Sequence, residues 1–173
     1  MTGPSHTSTT TASDAWLARP LVDGGVLTAA QIAELQQAGE TAYWAAAVRR
    51  GWTADEAIAR LVADVFKVPA ADLSTADVRL TPLLPEAVAR KYRVVTLAAD
   101  SGRITLATAD PRDLNVEHEL RFLTGRDVQF AVAAPAQILL RLDELYRPEA
   151  SVERLLDGLD DVEVETEVEP EPK

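Results

Sequence analysis

The chain has 173 residues, a net charge of −11 and no cysteine. Its length allows one domain or two small ones, and the 47% of apolar residues can supply a core. The absence of cysteine excludes disulfides, thiolate metal ligands and a cysteine nucleophile. Only His6 and His118 are available, so we expect neither a histidine metal cage nor a catalytic triad. The acidic balance also disfavours nucleic acid as a partner.

The acidic charge is concentrated near the C-terminal end. Residues 153–173 have a net charge of −7, which leaves −4 for residues 1–152. The chain has no secretory signal pattern and no run of ~18 apolar residues, so we predict a cytoplasmic chain without direct membrane insertion. Composition and periodicity predict four segments: a disordered leader at 1–13, a helical module at 14–78, an α+β module at 79–149 and an acidic linker or tail at 150–173.

The helical module contains two similar patterns. Residues 28–31 and 53–56 both have the Thr-x-x-Gln/Glu spacing of a capping box, in which two side chains accept free amides at a helix start. Each box follows a glycine, Gly25 or Gly51, of the kind that ends a preceding helix. A further helix is predicted at 40–50. We therefore interpret the module as two related helical hairpins. Its last helix carries an apolar stripe at helical spacing, formed by Ile58, Leu61, Val62, Val65 and Phe66.

From residue 80 the pattern changes to α-β-β-α-β-α. Pro85 is predicted at the first position of a short helix that ends at Tyr92, and residues 100–102 are typical of a β-hairpin turn. The predicted fold class is therefore α+β, with a small N-terminal module of helical hairpins followed by a small α-β-β-α-β-α module. The predicted strands are 93–98, 103–109 and 127–133, and the predicted later helices are 113–124 and 135–146.

Several segments resemble the N-terminal region of type II secretion and type IV pilus assembly ATPases of the GspE/PilB group. The strongest combines Leu-Pro-Glu at 84–86, Ala-Asp-Pro at 109–111 and Leu-Arg-Phe-Leu-Thr-Gly at 120–125. Ala-Asp-Val-Phe-Lys-Val-Pro at 63–69 resembles the family's link between its helical and α+β parts. The helical repeat is similar to the MshEN-type module. Together the resemblance covers residues 16–147.

The resemblance implies a non-catalytic regulatory or docking region. It leaves out the ATPase half of the family. No glycine of the chain is followed by lysine, so a phosphate-binding Walker loop is missing and we expect no ATP hydrolysis. The implied partner is the cytoplasmic domain of an inner-membrane secretion or pilus platform protein, or the ATPase motor. Either partner would recruit the chain to the inner face of the inner membrane, and residues 150–173 resemble the family's linker to the motor.

A second interpretation, a cyclic di-GMP sensor of the MshEN type, follows from the same resemblance. In nucleotide-binding members each repeat begins with Arg-Leu-Gly, nine residues ahead of the turn glycine, where arginine recognises guanine or phosphate. The corresponding residues here are Trp-Leu-Ala at 16–18 and Ala-Tyr-Trp at 42–44. Because the arginine and the glycine are missing from both repeats, we rank nucleotide binding below protein binding. A DNA-binding role of the hairpins ranks third because the chain is acidic.

We predict no catalytic, cofactor-binding or metal-binding residue and no cofactor. Arg19, Arg49 and Arg50 could form an anion site near the turn glycines, although such residues more often lie in solvent at helix ends. Tryptophans favour partner contacts, but an alanine-rich module also needs bulky core residues, and we favour that interpretation for Trp44. The predicted partner or ligand surface consists of Trp16, Leu17, Arg19, Leu21, Gly25, Trp44, Arg49, Arg50, Gly51 and Trp52.

Overall fold

The computed structural model describes residues 13–147, so nearly all of the predicted leader and the whole predicted tail lie outside the described residues. The described part combines α-helices with one three-stranded sheet, which confirms the α+β class. The helices are α1 (Ala18–Asp23), α2 (Ala29–Gln37), α3 (Tyr43–Arg49), α4 (Asp55–Phe66), α5 (Glu86–Tyr92), α6 (Leu114–Thr124) and α7 (Pro135–Leu145). The strands are β1 (Val95–Ala99), β2 (Arg103–Thr108) and β3 (Asp127–Val132). Short 3₁₀ segments are Ala15–Leu17, Leu73–Thr75 and Val78–Leu83.

Residues 14–66, which contain α1 to α4, pack around one apolar cluster, and we call them the helical body. α1 contacts α2 and α4, and α3 contacts α4. Of the predicted stripe on α4, Ile58 and Val62 are buried, whereas the side chain of Val65 is 47% exposed. The largest fully buried side chains of this body are Trp44, Leu17, Leu21, Leu35, Ile58 and Val62.

The two predicted capping boxes have different outcomes. At α2 the box forms, because the Gln31 amide donates to Thr28 Oγ1 at 3.2 Å and the Thr28 amide donates to Gln31 Oε1 at 2.8 Å. At α4 the prediction is wrong, because the N-cap residue is Ala54 and no side chain caps the helix locally. A helix that starts one residue later moves Glu56 out of the third position, so it cannot close a box with the threonine at position 53.

The starts of α3 and α5 also differ from prediction. α3 begins at Tyr43 rather than at residue 40, because the carboxylate that accepts its first amides comes from Asp14, far back in the chain. Pro85 is the N-cap residue of α5 instead of its first helical residue, which is Glu86. Both differences are shifts of a boundary, and the predicted helices themselves are present.

The sheet has the strand order β1-β2-β3. β1 and β2 are antiparallel with an irregularity between Thr96 and Ala98, and their turn is the predicted hairpin. The Asp100 carboxylate stabilises this turn by accepting the amides of Gly102 and Arg103, both at 2.8 Å. β2 and β3 are parallel, and α6 forms the crossover between them.

Residues 69–147 surround a second apolar cluster and are called the sheet body. Residues 69–71 lie beside the end of β3, where the Val132 amide donates to the Pro69 carbonyl at 2.9 Å and the Ala71 amide donates to the Val132 carbonyl at 2.7 Å. Residues 69–78, predicted as the end of the helical module, pack on the sheet body through Ala71, Leu73, Ala76 and Val78. Between residues 13 and 147, no helix is long and apolar enough to cross a membrane.

Candidate functional site

Three of the residues predicted to form a surface are in the core. Leu17 and Leu21 are fully buried, and the Trp44 side chain is 1% exposed. The assignment of these three to a partner or ligand surface is therefore wrong, because a docking partner could reach them only by unfolding the helical body. For Trp44 the core interpretation is the correct one, and its indole Nε1 donates to the Asp55 carboxylate at 2.9 Å.

A residue that sequence reasoning missed, Asp14, holds the start of α3. Its carboxylate accepts the backbone amides of Tyr43 and of Trp44, the latter at 3.1 Å, and its own amide donates to the Thr41 carbonyl at 3.0 Å. Burial raises the pKa of Asp14 more than these amide hydrogen bonds lower it, and the nearby charge of Asp110 raises it further. A cap supplied from 29 residues away leaves no spacing signal in the sequence.

The arginines at the end of α3 are already paired with carboxylates. Arg49 contacts Glu40 at 2.7 Å, and Arg50 contacts Glu34 at 2.7 Å and Glu40 at 3.7 Å. The Arg50 guanidinium also lies 5.1 Å from the centre of the Trp52 ring. An anionic ligand would have to displace these carboxylates, so the arrangement is that of a solvated helix end rather than of a preformed anion site.

The two turn glycines have a conformational role. Gly25 and Gly51 have φ values of 69° and 71°, a region that favours glycine. Around the position of an added Cβ at either residue there is no atom within 4 Å. Glycine is therefore favoured at these two positions by the backbone conformation after α1 and α3. It is not favoured by lack of space for a side chain.

Arg19 lies on the outside of α1, where it contacts Asp23 at 3.5 Å. The two residues border a groove between α1 and α4 whose volume is about 360 Å³ and whose apolar walls include Leu61 and Val65. Gly24 forms part of the floor, and an added Cβ there would lie 2.4 Å from Leu61 Cδ1. This groove contains only one of the predicted surface residues, Arg19.

Trp16 lies apart from the other predicted residues, at the contact between the two bodies. Its ring packs edge-on against Phe66, with centroids 5.7 Å apart, and the guanidinium of Arg112 stacks over it at 4.0 Å. The predicted surface is consequently not one site, because its exposed members are divided between the end of α3, the outside of α1 and this contact.

The exposed apolar side chains of the sheet body were not predicted as a site. Leu114, Phe122 and Leu123 on α6 are 66%, 89% and 55% exposed, and we call them the α6 surface. Leu114 and Phe122 are eight residues apart, so they share a helix face that turns away from the buried Leu120. The signal was present in the sequence as apolar residues at helical spacing on both faces of one helix.

The chain is similar to known proteins both in sequence and in fold. The family model of the MshEN domain matches residues 66–152. The type IV pilus assembly ATPase PilB of Myxococcus xanthus (strain DK1622) is 28% identical over 138 residues, which are 78% of this chain and 24% of PilB. The chain thus spans about a quarter of the length of this relative.

Two solved structures share the fold. The structure of MshE with cdg has a TM-score of 0.60 and 24% identity, and the match covers 75% of this chain and 98% of that chain. The N-terminal domain of XpsE has a TM-score of 0.58 and 19% identity, covering 76% of this chain and 94% of that chain. The family model covers the sheet body, beginning at the last residue of α4, whereas the MshEN resemblance described above lies in the helical repeat.

Proposed function

The chain belongs to the MshEN domain family, and we propose that it is a non-catalytic regulatory and docking region of a type II secretion or type IV pilus assembly ATPase, or a stand-alone relative of one. The proposed partner is the cytoplasmic domain of the inner-membrane platform protein of the same machine. PilB supports the machine class. The missing Walker loop supports a role without ATP hydrolysis.

The observation that carries the docking role is the α6 surface. Phe122 is 89% exposed, and Leu114 and Leu123 lie on the same helix. Keeping a phenylalanine in water forgoes the free energy of burial, about 1.5–3 kcal/mol for such a side chain. Aromatic side chains are enriched among the residues that contribute most to protein interfaces. We therefore propose that the partner contacts α6 rather than the tryptophans of the helical body.

Binding of the purified 173-residue chain to the cytoplasmic domain of its platform protein, measured by calorimetry, tests this proposal. Phe122→Ser should weaken binding at least about tenfold, because it removes the most exposed aromatic anchor. The unfolding midpoint should stay unchanged, since this side chain packs against little of the chain.

The matched control is Val65→Ser, which removes an exposed apolar side chain from α4 and should bind like the parent chain. Trp52→Ala tests the surface predicted from sequence. The proposal is wrong if the parent chain does not bind the platform domain. The assignment to α6 is wrong if Phe122→Ser binds as tightly as the parent, and loss of binding in Trp52→Ala alone would restore the α3 end as the contact.

Cyclic di-GMP binding is the second candidate, and the likeness to the structure of MshE with cdg favours it. Against it stand Trp16 at the position of the expected arginine and the carboxylates that already occupy Arg49 and Arg50. Calorimetric titration of the full chain with cyclic di-GMP should give no saturable heat at micromolar ligand. Saturable binding would reverse the order of the two candidates, whatever the outcome with the platform domain.

A further inference from the structure

The Trp16 ring connects the helical body to the sheet body. Arg112, in the loop between β2 and α6, places its guanidinium 4.0 Å from the centre of the ring. Phe66, the last residue of α4, meets the same ring edge-on at an interplanar angle of 77°. Trp16 is therefore held between one aromatic residue of its own body and one cation of the other.

Both partners of this contact are positioned by further interactions. Asp110 fixes the guanidinium of Arg112 with two parallel hydrogen bonds, from Nε and from Nη2, each 2.9 Å long. Such a bidentate pair sets the plane of the guanidinium as well as its location. On the other side, Asp14 is bound to the start of α3 and Leu17 is fully buried, so the 3₁₀ segment between them holds the indole in place.

The closed contact leaves one polar group unsatisfied. The indole Nε1 of Trp16 is buried and has no hydrogen-bond acceptor among residues 13–147. A buried donor without a partner opposes the closed arrangement, and exposure to water would relieve it. The apolar contact beneath includes Ala109, Val132 and Ala134, and there α4 contacts β3 and α3 contacts α7.

We propose that Trp16 and Arg112 form a releasable latch between the two bodies. In the closed state the stack fixes how the hairpins sit on the sheet. In the open state the indole N–H reaches water and the helical body turns about the junction at residues 67–71. The latch rests on this geometry alone and does not depend on which partner docks at α6.

Hydrogen exchange of the full chain, followed by mass spectrometry, tests the latch. Arg112→Ala should speed exchange about three- to tenfold at the junction, in the Pro69 to Val132 bridge and in the last turn of α4. Amides of the β1–β2 hairpin should keep their rates. Arg112→Lys keeps a cation near the ring, so its exchange rates at the junction should lie between those of the parent chain and those of Arg112→Ala.

Arg121→Ala is the matched control, because it also removes an arginine–aspartate pair, with Asp127, but one that lies within the sheet body. It should leave exchange at the junction unchanged. The latch is refuted if Arg112→Ala leaves the junction unchanged or speeds exchange evenly in both bodies.

A double-mutant comparison keeps the proposal testable if one variant folds poorly. In a Trp16→Leu background, Arg112→Ala should produce no further increase at the junction, because the stack is already lost. An increase as large as in the parent background would show that Arg112 acts through other contacts and would overturn the latch.

Discussion

A single carboxylate, that of Asp14, accepts hydrogen bonds from two amides at the start of α3 while it is partly buried. These two effects have opposite consequences for its ionisation, because amide donors favour the charged form and burial disfavours it. Burial is the larger effect, so the pKa of Asp14 is raised above 3.8. Asp14 thus caps the start of α3, although its partly buried position disfavours the ionised carboxylate.

Asp14→Ala should lower the free energy of unfolding by about 1–2 kcal/mol, the usual cost of losing a helix cap. Its pH dependence has a defined sign. Because the folded-state pKa is raised, the folded chain binds the proton more tightly, and the contribution of Asp14 falls as the pH rises from 3.8 through the folded pKa. Urea unfolding at several pH values should therefore show the difference between parent and variant shrinking across this window.

For Asp100→Ala the stability difference from the parent chain should depend on pH in the opposite direction. The amides of Gly102 and Arg103 lower the pKa of Asp100 below 3.8. Its contribution is present above 3.8 and is lost as the pH falls through the folded pKa. If the difference for Asp14→Ala grew with pH as the one for Asp100→Ala does, the assigned direction of the Asp14 shift would be wrong.

Trp44→Ala and Trp52→Ala should differ strongly in stability. Trp44 is almost fully buried and hydrogen-bonded to Asp55, so its truncation should cost about 3–5 kcal/mol. Trp52 is half-buried at a turn beside Arg50, and its truncation should cost less than about 2 kcal/mol. Denaturant unfolding of both variants measures the change in the free energy of unfolding. Equal changes would contradict the assignment of Trp44 to the core and of Trp52 to the surface.

At the scale of elements, α6 has an apolar residue on each of its faces. Leu120 faces the core, whereas Leu114 and Phe122 face solvent. α1 and α4 differ from α6 in how closely they are packed. At Gly24 the two helices approach so closely that an added Cβ would collide with Leu61.

Gly24→Ala should reduce stability by about 1–3 kcal/mol, because its Cβ would lie 2.4 Å from Leu61 Cδ1 and 3.1 Å from the Pro20 carbonyl oxygen. Gly102→Ala is the control, since the nearest atom to its added Cβ is 3.9 Å away. Thermal unfolding of the two variants gives the comparison. A Gly24→Ala chain as stable as the control would mean that α1 and α4 move apart freely.

Local patterns predicted elements well and contacts between distant residues poorly. The Thr28 capping box, the hairpin at 100–102 and the α-β-β-α-β-α order each depend on neighbours in sequence, and each is found. The box at 53–56 fails because α4 starts one residue later than predicted, with Ala54 as its N-cap residue. The cap from Asp14 and the stack of Arg112 on Trp16 join residues far apart in the chain, so no spacing could indicate them.

At the scale of the whole molecule, the two apolar clusters are in contact. Ala109 packs against both clusters, and Val132 and Ala134 of the sheet body belong to the cluster of the helical body. The two bodies therefore share buried surface, and loss of one would expose part of the other to water.

Thermal unfolding should accordingly give one transition. Tryptophan fluorescence follows the helical body, which contains Trp16, Trp44 and Trp52, whereas circular dichroism follows both bodies. Midpoints from the two signals should coincide, as expected for a cooperative unit. Fluorescence midpoints several degrees below those from circular dichroism would show that the helical body melts by itself.

The bridge between Ala70 and Val132 has a consequence for the order of folding. It joins residues 62 positions apart, so the segment that follows α4 has no sheet partner until β3 exists. During synthesis the first four helices emerge well before that strand. The apolar cluster of the helical body therefore lacks Val132 and Ala134 until the chain has been synthesised almost to α7. Closing a loop of this length has an entropic cost, so we expect the Ala70–Val132 bridge to form late in folding, after β3.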